Sequence, residues 1–159
     1  MNLSKNAQEF MAKKHHQLSS ELAEKYDIPP EEVAGVVQSF LDDSYGPAVS
    51  LAEKLSGKSG SLLLFIGKKD CSVCERCKPI LKDFLSRHDE IEVAKLDYAD
   101  PEGLFYHIIN GKDGGRLPMI AFILRGEIRM VFTGDCSSDD FYERCYKSII
   151  SEQKVRPLQ

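Results

Sequence analysis

Leu62-Leu-Leu-Phe-Ile-Gly-Lys-Lys-Asp-Cys71-Ser-Val-Cys74-Glu-Arg-Cys77-Lys-Pro-Ile-Leu81 is the stretch whose reading decides the fold. Leu62 to Ile66 form an apolar run suited to a strand buried on both faces. A short charged loop follows, and Cys71 and Cys74 then stand at the start of an amphipathic helix. The free N–H groups and partial positive charge of a helix N-terminus stabilise a thiolate, the form of cysteine that attacks disulfides. A strand, a tight loop and a CxxC opening a helix therefore make a redox motif.

On the C-terminal side the pattern alternates. A strand over 61–66 leads to a helix over 72–86, a strand over 91–97, a helix over 101–110, strands over 119–124 and 127–132, and a helix over 138–150. The first of these helices is expected to bury Val73, Cys77, Ile80, Leu81 and Phe84. Asn110-Gly111 reads as a helix stop, Arg125-Gly126 as a tight hairpin, and Ser137 with Asp140 as a capping box ahead of Phe141, Cys145 and Ile149. The order of elements predicts an α/β domain over 61–150, a mixed sheet of four or five strands covered by helices.

On the N-terminal side, residues 1–58 read as an all-helical extension. A helix over 4–26 carries a thin apolar stripe at Ala7, Met11, Leu18 and Leu22. Pro30 opens a second helix with Glu31 and Glu32 in its first turn, and Val33, Val36, Val37, Phe40 and Leu41 mark its apolar face. Tyr45-Gly46-Pro47 is expected to break that helix before a third over Ala48–Leu55, and Gly57-Lys58-Ser59-Gly60 to link it to the strand.

The 159-residue chain has 42% apolar residues, enough to fill a core, and a formal charge of −4. Residues 1–58 carry six Lys/Arg against nine Asp/Glu. Leu22-Ala-Glu-Lys-Tyr-Asp-Ile-Pro-Pro-Glu-Glu-Val33 has a helix-turn-helix rhythm. The would-be recognition helix, 31–41, has no Lys or Arg to meet phosphates, so no nucleic-acid partner is expected. The N-terminus lacks a secretory h-region and the apolar runs are too short to span a bilayer, so the expectation is a cytoplasmic protein with no membrane partner. Five cysteines, three of them clustered, do not resemble a secreted disulfide framework.

Order and motif together resemble the thioredoxin superfamily over residues 61–150. Cys71-Ser-Val-Cys74 sits where that family has its CxxC. Pro79, five residues beyond Cys74, is similar to its helix-kinking proline. Leu117-Pro118 opens the strand before the hairpin, where the family has its cis-proline, and Gly134 matches the glycine after the last strand. The chain departs from the family at Asp70 (for a tryptophan), Val73 (for the proline between the cysteines) and Phe65 (for a buried acid). No clear strand precedes Ala48–Leu55.

The resemblance implies a thiol–disulfide oxidoreductase with Cys71 and Cys74 as the catalytic pair. It further implies Leu117 and Pro118 as substrate contacts, protein or small-molecule disulfides as substrates, with a disulfide-containing protein as partner, an upstream thiol reductant and no cofactor. The N-terminal helices are a candidate dock for a protein partner. Cys77 reads as a core or secondary thiol. Pairing it with Cys74 would need Cβ atoms about 3.8 Å apart, where the helix sets about 5–6 Å. The alternative reading is a binding or scaffold module whose thiols sense oxidation or hold a metal, with Cys71, Cys74, Cys77 and Cys136 as ligands. Cys145 reads as a core residue, His15, His16 and His107 as solvated surface groups, and His88 as structural.

Overall fold

The computed structural model describes residues 2–110 and 115–155. Helices α1 (Leu3–Tyr26) and α2 (Pro30–Ser56) precede strand β1 (Ser61–Gly67) and helix α3 (Ser72–Ser86). Strand β2 (Ile91–Asp97), a 3-10 turn over Pro101–Leu104, helix α4 (Phe105–Ile109), strands β3 (Met119–Leu124) and β4 (Glu127–Thr133) and helix α5 (Phe141–Val155) complete the order. The four strands form one mixed sheet in the order β2-β1-β3-β4. β1 runs parallel to β2 and antiparallel to β3, which runs antiparallel to β4.

β1 is one of the two interior strands and is buried on both faces. Leu62, Leu64 and Ile66 face one core with Leu3, Ala7, Ala48, Ala52, Leu55 and Phe105. Leu63 and Phe65 face the other, with Cys74, Cys77, Leu81, Phe84, Tyr142 and Tyr146. An apolar run without alternation is the signature of a strand covered on both sides. α1, α2 and α4 form one covering layer, and α3 with α5 the other.

The helical segment is thus continuous with the sheet's core. Its attachment is also through backbone: Leu3 N–H donates to the Gly126 carbonyl at 3.3 Å, and Asn2 bridges to Glu127. Arg125 and Gly126 both have positive φ, 53° and 75°, as a two-residue hairpin with matching twist requires. A side chain at Gly126 would run into the Ser56 carbonyl at the end of α2.

Several expectations need correction. Pro47 does not break α2, which runs unbroken to Ser56. A proline removes one hydrogen bond, to the Asp43 carbonyl, and kinks or breaks helices where nothing else holds them. Here Leu41 and Ala48 are buried on either side of it, and Tyr45 packs edge-on against Phe10 of α1 at 5.1 Å. The face of α2 is narrower than its spacing implied. Val37 and Leu41 are buried, whereas Val36 and Phe40 stand 70% and 57% exposed. On α1 the most deeply buried positions are Leu3, Asn6, Ala7, Ser19 and Ala23, mostly small residues, with Met11, Leu18 and Leu22 half-buried.

The helix expected over 101–110 divides into the 3-10 turn and α4, and Gly111 of the proposed stop lies outside the described residues. In α3 the buried residues are Cys74, Cys77, Leu81 and Phe84, with Val73 and Ile80 half-buried. α5 begins at Phe141 rather than 138. Ser137 is engaged by Asp135, and Ser138 by Asp140, so the expected capping box does not form. Tyr142, Tyr146 and Ile149 are its buried face, and Cys145 is only half-buried. His15 and His107 are half-buried and partnered, by the Ala34 carbonyl and the Tyr98 hydroxyl.

His88 ties the end of α3 to α5. Its ring nitrogens lie 2.8 Å from Glu143 Oε1 and 3.0 Å from Glu90 Oε1. Burial opposes the imidazolium, but hydrogen bonds and charge from Glu143 and Glu90 outweigh it and raise the His88 pKa. The His88 hydrogen bond, against burial, holds the Glu143 carboxyl below its ordinary range. The raised histidine contributes stability in full below its ordinary value of 6.5 and loses it as pH rises through its folded value. The lowered carboxylate contributes above its ordinary 4.5 and loses that stability in acid. The cluster therefore stabilises most between those values. Urea midpoints should show a gap between the native protein and His88→Gln that is widest near pH 6 and narrows by pH 9. A gap independent of pH would contradict the assignment.

Candidate active site

β1 delivers the chain to the site. Its last residue, Gly67, accepts the Tyr98 N–H at 2.7 Å, which pins the strand end to the segment after β2. A Cβ at Gly67 would lie 3.0 Å from the Phe65 ring and 3.6 Å from both Cβ and Sγ of Cys74. The missing side chain is thus the space beside the Cys74 sulfur. Lys68, Lys69 and Asp70 are exposed, and Asp70 takes a positive φ of 61° as the chain turns into α3.

Cys71 is the N-cap of α3. Its extended backbone ends the loop, and its sulfur accepts the Cys74 N–H at 3.2 Å. An N-cap normally uses a hydroxyl or carboxylate oxygen for this bond; here a sulfur takes the orphan donor. Cys71 and Cys74 are joined as a disulfide with Cα atoms 5.2 Å apart. Cys71 is half-exposed and Cys74 fully buried, so of the two residues Cys71 is the one solvent reaches.

The Leu117–Pro118 peptide bond is cis. Half-buried Leu117 packs against both cores, and the Pro118 carbonyl accepts the Gly134 N–H at 3.0 Å. Gly134 has φ 110°, a conformation that favours glycine. Upstream, the Tyr106 hydroxyl donates to the Arg116 carbonyl at 3.3 Å, fastening the approach to Leu117 to α4. Phe65 is buried in the same core as Cys74, so an aromatic ring packs on that side of β1.

The four cysteines of the metal reading divide into two pairs. Cys71 and Cys74 form the disulfide. Cys77 and Cys136, both fully buried, meet in the core that also holds Cys74, the Cys136 N–H donating to Cys77 Sγ at 3.2 Å. Among the described residues, no group of three or more His, Cys, Asp or Glu side chains could hold a metal ion. Cys136 is a candidate from the sequence, but Tyr142, whose hydroxyl lies 3.2 Å from Cys136 Sγ, is not. A tyrosine six residues past a cysteine carries no spacing signal. At the rim, Asp135 accepts the Ser137 hydroxyl and N–H, which hold its carboxyl below the ordinary range, and pairs with Arg76 at 3.5 Å.

No family model matches the chain, and no curated protein does. Solved structures do. Desulfothioredoxin from Desulfovibrio vulgaris Hildenborough is 21% identical, matched over 61% of this chain and 88% of that one with a TM-score of 0.52. Thioredoxin 2 from Pseudomonas aeruginosa PAO1 is 20% identical, over 64% and 89%, with a TM-score of 0.53. Thioredoxin from Trypanosoma brucei brucei is 13% identical, over 65% and 86%, with a TM-score of 0.54. The chain carries a thioredoxin-like domain with two helices before the sheet. No described helix is long and apolar enough to cross a membrane.

The placement of the thiols sets an order of reactivity. With the disulfide reduced, a limiting alkylating agent at neutral pH should mark Cys71 first, with Cys77 and Cys136 reacting only after unfolding. Peptide mapping that finds Cys77 or Cys145 modified fastest would overturn that order.

Proposed function

We propose that this protein is a thiol–disulfide oxidoreductase of reducing, cytoplasmic surroundings, acting on disulfide-containing protein substrates. One observation carries the reading: a half-exposed cysteine at a helix N-terminus, its sulfur accepting that helix's N–H, is bonded to a buried cysteine one turn away. As a thiolate, Cys71 attacks a sulfur of the substrate disulfide. That bond breaks, one substrate sulfur leaves as a thiolate, and a mixed disulfide with Cys71 forms. Cys74 then attacks Cys71 Sγ and expels the second substrate thiolate, which leaves the Cys71–Cys74 disulfide. An upstream thiol reductant restores both thiols.

The N–H of Cys74 supports the thiolate charge on Cys71 before it attacks. Leu117 and Pro118 are the proposed contacts for an extended substrate segment beside the disulfide. The reading needs no cofactor and involves neither nucleic acid nor membrane. Val36 and Phe40, exposed on α2, favour an added role for the N-terminal helices in docking a protein partner.

With a thiol reductant supplied, the native protein should accelerate reduction of a generic protein disulfide. Cys71→Ser should fall to the rate of the reductant alone, and Cys74→Ser should accumulate a mixed disulfide through Cys71. Equal rates for the native protein and Cys71→Ser would dispose of the proposal.

A further inference from the structure

The reaction above uses two sulfurs and leaves two others, buried in the core that holds Cys74, without a task. Cys77 lies one helical turn past Cys74 on the inner face of α3, and Cys136 lies just beyond the Gly134 turn that follows β4. Both are fully buried in the core that holds Cys74. The Cys136 N–H points at Cys77 Sγ at 3.2 Å, and Cys136 Sγ rests 3.2 Å from the Tyr142 hydroxyl. Burial first, then interaction with the Cys77 sulfur, pushes the Cys136 thiol up to about 12. The Cys136 proton must therefore pass to the departing sulfur as Cys136 attacks, and charge developing on Cys77 would meet an N–H donor.

We propose that Cys77 and Cys136 are a second redox couple, a buried dithiol that takes over the disulfide first formed between Cys71 and Cys74. This rests on the oxidoreductase reading, because the Cys71–Cys74 disulfide is the oxidant. In the first exchange Cys77 Sγ attacks Cys74 Sγ. The Cys71–Cys74 bond breaks, and Cys71 leaves with the electron pair and gains the proton that Cys77 gives up. In the second, Cys136 Sγ attacks Cys77 Sγ, and Cys74 leaves with the electron pair and gains the Cys136 proton.

Overall, one disulfide becomes two thiols at Cys71 and Cys74, while two thiols become one disulfide at Cys77 and Cys136. No net charge is left in the core, where an unpaired charge is costly. The Cys74–Cys77 bond can only be transient, since helical spacing holds the Cβ atoms about 5–6 Å apart against the about 3.8 Å of a disulfide. Pro79 helps this turn yield, because it offers no N–H to the Glu75 carbonyl. Cys136, from another element, is free of that spacing and completes the transfer. The consequence is capacity: a fully reduced chain can reduce a second substrate disulfide before any reductant returns.

The test is stoichiometric. Fully reduced native protein, freed of reductant, is mixed with excess of a small peptide disulfide, and released peptide thiol is counted. The proposal expects about two disulfides reduced per chain, with both Cys71–Cys74 and Cys77–Cys136 recovered on peptide mapping. Cys136→Ala should lose half of that yield, and Cys145→Ser should keep all of it. About one equivalent from the native protein, with Cys77 and Cys136 still alkylated as thiols after unfolding, overturns the second couple and leaves the oxidoreductase reading standing. No reduction at all overturns both. The native stoichiometry and map decide the matter even if Cys136→Ala does not fold.

Discussion

The bond from the Cys74 N–H to Cys71 Sγ is where the fold and the chemistry meet. It exists because β1 is fixed on both faces and ends at Gly67, so the loop after it has nowhere to place Cys71 except at the head of α3. Every helix must satisfy its first N–H groups, and here one of those donors goes to a sulfur. A sulfur in that position meets a donor and the positive end of the helix dipole whenever it carries charge. The site is therefore a by-product of helix capping, and its reactivity depends on the strand behind it staying in register.

Much of this was legible in the sequence because the signals were local. Apolar runs marked β1 and β3, and helical spacing marked α3 at its observed ends. Arg125-Gly126 marked the hairpin, and the CxxC marked the site. What was not legible depended on tertiary neighbours. Pro47 reads as a breaker, and only packing on both sides of it keeps α2 continuous. Val36 and Phe40 share a helical period with Val37 and Leu41, but α1 is a narrow partner lined with small residues and covers only part of that face. Ser137 would have capped α5, but Asp135 competes for its hydroxyl with a short-range bond. The meeting of Cys77 with Cys136 and Tyr142 joins three elements, and periodicity within one element cannot reveal it.

The two added helices change the meaning of the fold. The C-terminal half of α2 covers the sheet face opposite α3, and α1 seals the edge of that layer through Leu3 and Ala7. The face carrying the sulfurs is built separately, by α3 and α5 around Phe84, Tyr142 and Tyr146. One face of the sheet thus bears the extension, and the other bears all four sulfurs near the site. A partner held by the exposed residues of α2 would be gripped by elements that belong to the opposite layer from the reacting disulfide.

In the proposed reaction the Cys71–Cys74 disulfide is a reversible working bond and not a staple. Its midpoint in a graded glutathione redox buffer, with each state trapped by alkylation and mapped, tests this most directly. A two-electron transition between about −270 and about −120 mV is expected, the span of thioredoxin-fold oxidoreductases. A disulfide that persists below about −300 mV, as structural disulfides do, or a pair of thiols that never closes, would contradict it.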